Sequence, residues 1–176
     1  MNNLKGKCIN GCLARGTTLT MADGSRKRIE DLKIGDMVVV SNDGAKRITD
    51  IFTGHEERLI ELQLENEMLL KATSDHPIMT EKGYKSLGKL DMLDKVVIEE
   101  NQLKSIKMIF PIEYYDQVYN IVLEEPSAIL CNNIWVGDFQ IQNSLESDRY
   151  RNDDKTNNIE IKRLMEELEN FKKGNI

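Results

Sequence analysis

The chain has 176 residues, 40% of them hydrophobic, a formal net charge of -6 at pH 7 and three cysteines. That is enough for one hydrophobic core with a small appendage, and an acidic balance without a Lys/Arg stripe argues against a nucleic-acid partner. No apolar run approaches the ~20 residues of a bilayer-spanning helix, and Met1 to Asn10 lacks the apolar stretch of a secretion signal, so a cytoplasmic chain with no membrane partner is expected.

From Cys12 to Asp138 the signals are those of short strands and tight turns. Residues 1–11 precede that stretch as a flanking segment. Asp23-Gly24 and Asp43-Gly44 are dipeptides that close two-residue hairpins, since both central positions need positive φ. The longest basic run, Arg26-Lys27-Arg28, lies beside the first of these and reads as a solvated hairpin strand. Leu62 and Leu64 alternate with Glu61 and Gln63, and Val118 to Leu123 is rich in β-formers, whereas no stretch there holds a helical period. The fold class is therefore all-β.

An internal repeat adds a constraint on architecture. Ile29, Leu32, Asp36 and Val38 recur as Leu87, Leu90, Asp94 and Val96 at a constant offset of 58, each set following a Thr and a Gly, Thr20/Gly24 and Thr80/Gly83. Two similar halves predict a pseudo-symmetric β-structure.

After Asp138 the composition changes. Residues 139–158, rich in Ser, Asn, Asp and Arg from Asn143 onward, read as a linker. Over 159–174, Ile161, Leu164, Leu168 and Phe171 recur at helical spacing on a charged stretch, which predicts an amphipathic C-terminal helix near Gly174 and a candidate surface for a protein partner.

The chemistry-bearing residues form an ordered set. Cys12 follows Gly11, Thr73 and His76 form a Thr-x-x-His, and Asp138 closes the strand pattern. A cysteine on the C-terminal side of a peptide bond can attack its carbonyl and exchange the amide for a thioester, provided the nitrogen is protonated and the oxyanion stabilised. His76 is the natural proton donor, Thr73 can support the oxyanion or orient the ring, and Gly11 leaves room at the carbonyl. Taken singly, a cysteine is usually a buried hydrophobe and a His-Pro a turn.

In a reducing compartment three cysteines stay thiols, which favours Cys12 as a free thiol. Cys8 and Cys12, four apart, can also pair or hold a metal, but His55 and His76 are the only histidines and nothing has zinc spacing. No metal or cofactor is expected.

The chain resembles a Hint domain, the self-processing module of inteins, Hedgehog C-terminal regions and bacterial intein-like proteins. Cys12 to Thr17 with Gly35 to Val38 resembles the family's N-terminal block, Ala72 to Thr80 its Thr-x-x-His block, and Val118 to Ile121 with Ile129 to Asp138 its two C-terminal blocks. The resemblance implies a horseshoe-like all-β fold with pseudo-twofold symmetry and the chain's own flanking polypeptide as substrate. It also implies an N-to-S acyl shift at Cys12 with Thr73 and His76 assisting.

The departures from the family pattern are informative. Gly137 stands where a His is usual, Asp138 where a cyclising Asn is usual and Phe139 where an acceptor nucleophile is usual, so N-terminal cleavage is expected rather than splicing. Asn120 stands where some members carry an assisting Asp, and Cys131 is a further candidate if the ends of the domain meet. The alternative reading is an inert Hint fold serving as a structural or binding module, with the tail from Asp148 as its arm.

Overall fold

The computed structural model describes residues 11–41 and 44–147. Most of the flanking segment 1–11, the linker from Asp148 and the expected helix at 159–174 lie outside the described residues. Twelve strands are described. Those of the first half are β1 (Leu13–Ala14), β2 (Thr18–Thr20), β3 (Arg26–Arg28), β4 (Met37–Val40), β5 (Gly44–Leu64) and β6 (Leu69–Ala72). The second half holds β7 (Pro77–Thr80), β8 (Gly83–Ser86), β9 (Lys95–Val97), β10 (Leu103–Leu123), β11 (Ala128–Cys131) and β12 (Ile134–Gly137).

The repeat seen in the sequence is built into both halves. A 3-10 turn over Ile29–Asp31 follows β3, and its counterpart over Leu87–Lys89 follows β8. In the first half Asp36 accepts from Lys27 Nζ at 2.8 Å and from the Lys33 amide at 2.9 Å. In the second, Asp94 accepts from Lys85 Nζ at 2.6 Å and from the Asp91 amide at 2.8 Å. Each carboxylate thus ties the loop before its strand to the preceding hairpin, and Val38 and Val96 follow it into the core.

The hairpin at Asp23-Gly24 is wider than the two-residue closure expected. Met21 N donates to Ser25 O at 2.8 Å, Asp23 Oδ1 accepts from the Ser25 amide at 2.9 Å, and Gly24 takes φ +82. The Asp side chain organises the turn as an Asx motif, so Ala22 joins Asp23 and Gly24 in the loop. The second hairpin pairs β4 with β5 and sets Val40 opposite Gly44.

All the strand pairings are antiparallel, in the order β12-β7-β9-β10-β1-β6-β5-β4-β11-β2-β3, with β8 on β7 and further pairings of β11 with β12 and β5 with β10. The 21-residue strands β5 and β10 pair from Ile48↔Leu123 to Leu64↔Ile106 through three register shifts. Their ends bury Ile48, Leu62, Leu64, Ile106, Ile121 and Leu123, while Thr53, His55, Glu57 and Glu113 are exposed near the middle. Val118 to Ile121 of β10 are buried without a break.

One expectation at the C-terminal side is corrected. Residues 139–147 form a helix, α1, where a linker was expected from 139. Asp138 caps it, accepting from the Ile141 amide at 3.1 Å through Oδ1, and Phe139 lies against Phe52 with ring centroids 4.8 Å apart. An acidic cap before an apolar residue is a helix-start signal, here outweighed in the sequence reading by the polar residues that follow. The compact unit containing the sheet extends to Gln142, and a second unit begins at Asn143.

Ile29 and Leu87, at matching positions of the two halves, are 1% and 0% exposed. Ile29→Ala and Leu87→Ala are each expected to lower stability by about 2–5 kcal/mol, because a buried aliphatic truncation loses transfer energy and leaves a cavity. Urea denaturation of each variant beside the parent checks this, and a cost confined to one half would contradict a core shared by both.

Candidate functional site

The short strand β1 lies between β6 and β10, with Leu13 opposite both Ala72 and Tyr119. That register decides what surrounds the preceding Gly11–Cys12 peptide. Thr73 follows Ala72 directly, and Asn120 follows Tyr119, so each reaches the peptide with its neighbour already locked in a ladder. His76 enters from the turn before β7, where its amide donates to Thr73 O at 3.2 Å and its carbonyl accepts from Leu87 N at 2.9 Å.

Three side chains contact this single peptide. Asn120 Nδ2 donates to Gly11 O at 2.5 Å, and His76 Nδ1 lies 3.0 Å from the same oxygen. On the other side of the bond the Cys12 amide donates to Thr73 Oγ1 at 2.7 Å, while Thr73 N donates to Cys12 O at 2.9 Å. The geometry therefore exchanges the places expected for two residues. Thr73 meets the nitrogen and His76 meets the carbonyl, because Thr73 is held at the end of β6 alongside Cys12.

A carbonyl only accepts, so His76 Nδ1 carries the proton and the neutral ring leaves its lone pair on Nε2. Nε2 is buried without a partner among the described residues. His76 is fully buried, and desolvation lowers its pKa to about 4, the bond to Gly11 O opposing that shift. At neutral pH the group is an uncharged hydrogen-bond donor.

The expectation of Cys12 as a free thiol is corrected. Cys12 is disulfide-bonded. Cys12 is buried with Ala14, Leu59 and Val118. Cys131 is a free thiol in the main core, paired across to Leu19 and Ile134, and burial pushes its thiol far up. Its surroundings are apolar core rather than the Gly11–Cys12 peptide.

Asp138 bonds elsewhere as well. Besides capping α1, its Oδ2 accepts from Leu123 N at 3.3 Å and Gln140 Nε2 at 3.4 Å. Burial raises its pKa, against those hydrogen bonds.

The sequence reading missed Gln142. It is 1% exposed and accepts from Asn120 Nδ2 at 2.8 Å through Oε1, so one amide of Asn120 serves both Gly11 and Gln142. Among the described residues no group of three or more His, Cys, Asp or Glu side chains is arranged to hold a metal ion, and no helix is long and apolar enough to cross a membrane.

An all-β chain with an internal pseudo-repeat, whose first strand brings the peptide before it into a polar pocket, has the Hint fold. Its structural relatives are inteins and intein-like domains. The DnaB intein from Synechocystis sp. PCC 6803 matches with a TM-score of 0.66 at 19% identity, over 73% of this chain and 98% of that one. The gp41-1 intein matches at 0.65 with 22% identity, over 72% and 97%. The bacterial intein-like domain from Clostridium thermocellum matches at 0.64 with 21% identity, again over 72% and 97%.

In sequence, 98 aligned residues are 29% identical to tRNA-splicing ligase RtcB of Methanopyrus kandleri, covering 49% of this chain and about a tenth (10%) of that protein's length. No family model matches the chain.

The buried His76 makes stability fall as acid is added. Below the unfolded pKa of 6.5 the unfolded chain takes up a proton that the folded state refuses until about pH 4. The contribution is absent above pH 6.5 and destabilises by about 3 kcal/mol once pH reaches 4. His76→Asn keeps a side-chain donor without a titrating ring, so the parent-minus-variant difference in urea midpoint should shift between pH 7.5 and pH 4.5. A pH-independent difference would contradict a buried neutral imidazole.

Proposed function

We propose that this Hint domain processes its own chain by an N-to-S acyl shift at Gly11–Cys12, followed by N-terminal cleavage without splicing. The observation that carries the reading is the set of contacts on one peptide: two donors on the Gly11 carbonyl and one hydroxyl at the Cys12 nitrogen.

The reaction needs Cys12 reduced. A dithiol donates two electrons to the disulfide and leaves a thiol on Cys12. The Cys12 sulfur then adds to the Gly11 carbonyl carbon, the C–N bond breaks, and the thiol proton ends on the Cys12 amine, leaving a thioester.

Each contacting group has a role in that step. Asn120 Nδ2–H and His76 Nδ1–H stabilise the negative charge that develops on Gly11 O, as preorganised donors in a site sheltered from water. Thr73, whose Oγ1 touches the nitrogen, passes the proton to it as the amide becomes an amine. Water or an external thiol resolves the thioester and frees the segment ending in Gly11.

Asp138 takes no part in this step. Its carboxylate caps α1, and an Asp followed by Phe139 supplies neither the amide that cyclises nor a nucleophile that accepts an acyl group. Interaction through the tail from Asp148, and residence in the cytoplasm, belong to this proposal as expectations from sequence.

A second reading has an observation of its own. With Cys12 held in a disulfide the nucleophile is blocked, which suits an inert structural or binding module. One experiment separates the two.

The full chain, fused to a reporter before Gly11, is incubated oxidised, with a phosphine reductant, and with dithiothreitol, and followed by intact mass. Cleavage at Gly11–Cys12 is expected only after reduction, fastest with dithiothreitol, and absent from Cys12→Ala. Asn120→Ala should be slower by about 100-fold, the usual cost of one oxyanion donor, while Asp138→Ala retains most of the rate. An intact mass in every reduced sample would select the inert module.

A further inference from the structure

Gly11 is buried and adopts φ +68. Its backbone faces Gln142 so closely that a Cβ built there meets Gln142 Cδ and Oε1 at 2.2 Å and Nε2 at 2.5 Å. Gln142 is not an idle surface side chain that can swing aside. It is buried, its amide donates to Asp138 O at 3.1 Å in the first turn of α1, and its Oε1 holds Asn120 Nδ2. Its Nε2 is buried without a partner among the described residues, so the carboxamide has been brought against Gly11 at the cost of an unmet donor.

We propose that Gln142 is the specificity-determining residue for the acyl side of the scissile peptide, restricting position 11 to glycine. Any side chain there must displace the Gln142 carboxamide, which releases Asn120 from one partner and disturbs its aim at the Gly11 carbonyl. The positive φ disfavours other residues independently, and the two effects are separable because only one depends on residue 142.

The kinetic arm of the test rests on the processing reading; the stability arm does not. Gly11→Ala and Gln142→Ala are combined in a four-member cycle in the reporter-fused full chain, alanine at 142 keeping the helix preference of α1. The backbone cost of alanine at position 11 is common to both backgrounds and cancels. Under dithiothreitol, Gly11→Ala is expected to slow cleavage at least about tenfold with Gln142 present, and less than about threefold in Gln142→Ala, the range one methyl-sized misfit commands.

Thermal unfolding of the same four proteins should show Gly11→Ala costing at least about 2 °C more with Gln142 present than without it. Cleavage with the same Gly/Ala rate ratio in both backgrounds would overturn Gln142 as the selector, whatever the melting data show. If no member cleaves, the processing reading falls, and the melting cycle alone decides the Gly11–Gln142 fit: coupling supports it and additivity overturns it.

Discussion

The pairing of β1 between β6 and β10 is the constraint from which the site follows. A two-residue strand has little stability of its own, yet here it is flanked on both edges, with Leu13 buried completely and opposite both Ala72 and Tyr119. A shift of one residue in either ladder would turn Leu13 out of the core. The same shift would carry Thr73 or Asn120 away from the Gly11–Cys12 peptide, so the hydrophobic register and the polar contacts are one arrangement seen from two sides.

The electrostatics are arranged without formal charge. An imidazole, a carboxamide and a hydroxyl contact the peptide, and the imidazole is kept neutral by its burial. Dipoles of this kind are oriented before charge develops and need no counter-ion in a buried pocket. No carboxylate is among the causes that set the state of His76, and Asp138 is engaged with Leu123, Gln140 and Ile141.

Much of the fold was legible because it is written in local, repeated signals. Ile29, Leu32, Asp36 and Val38 announced their counterparts at Leu87, Leu90, Asp94 and Val96, since a pseudo-repeat must bury the same positions and bond the same carboxylate in each half. Cys12, Thr73, His76 and Asp138 were visible as an ordered set, of which the structure gathers the first three at one peptide and joins to them Asn120, raised only through the family resemblance. Which atom each contacts was not visible, because that depends on the offset between β6 and β1, a quantity no spacing encodes.

Gln142 left no trace at all, as a single polar residue on a polar segment. The only signal available was Asp138 before an apolar residue, which marks a helix start and hence the turn that carries Gln142. The disulfide-bonded state of Cys12 was not legible either, because three cysteines in a reducing compartment favoured free thiols.

Gly11 and Gln142 stand on opposite flanks of the stretch from Cys12 to Asp138 that the motifs delimit, yet their atoms are in contact. The portable unit is therefore larger than its motifs. A graft of Cys12 to Asp138 into a foreign host would leave behind both the glycine whose carbonyl is held and the glutamine packed on it. Host residues would then occupy positions that this sheet has already shaped, whereas a cassette cut to include both flanks would carry its own contacts on the Gly11–Cys12 peptide wherever it is inserted.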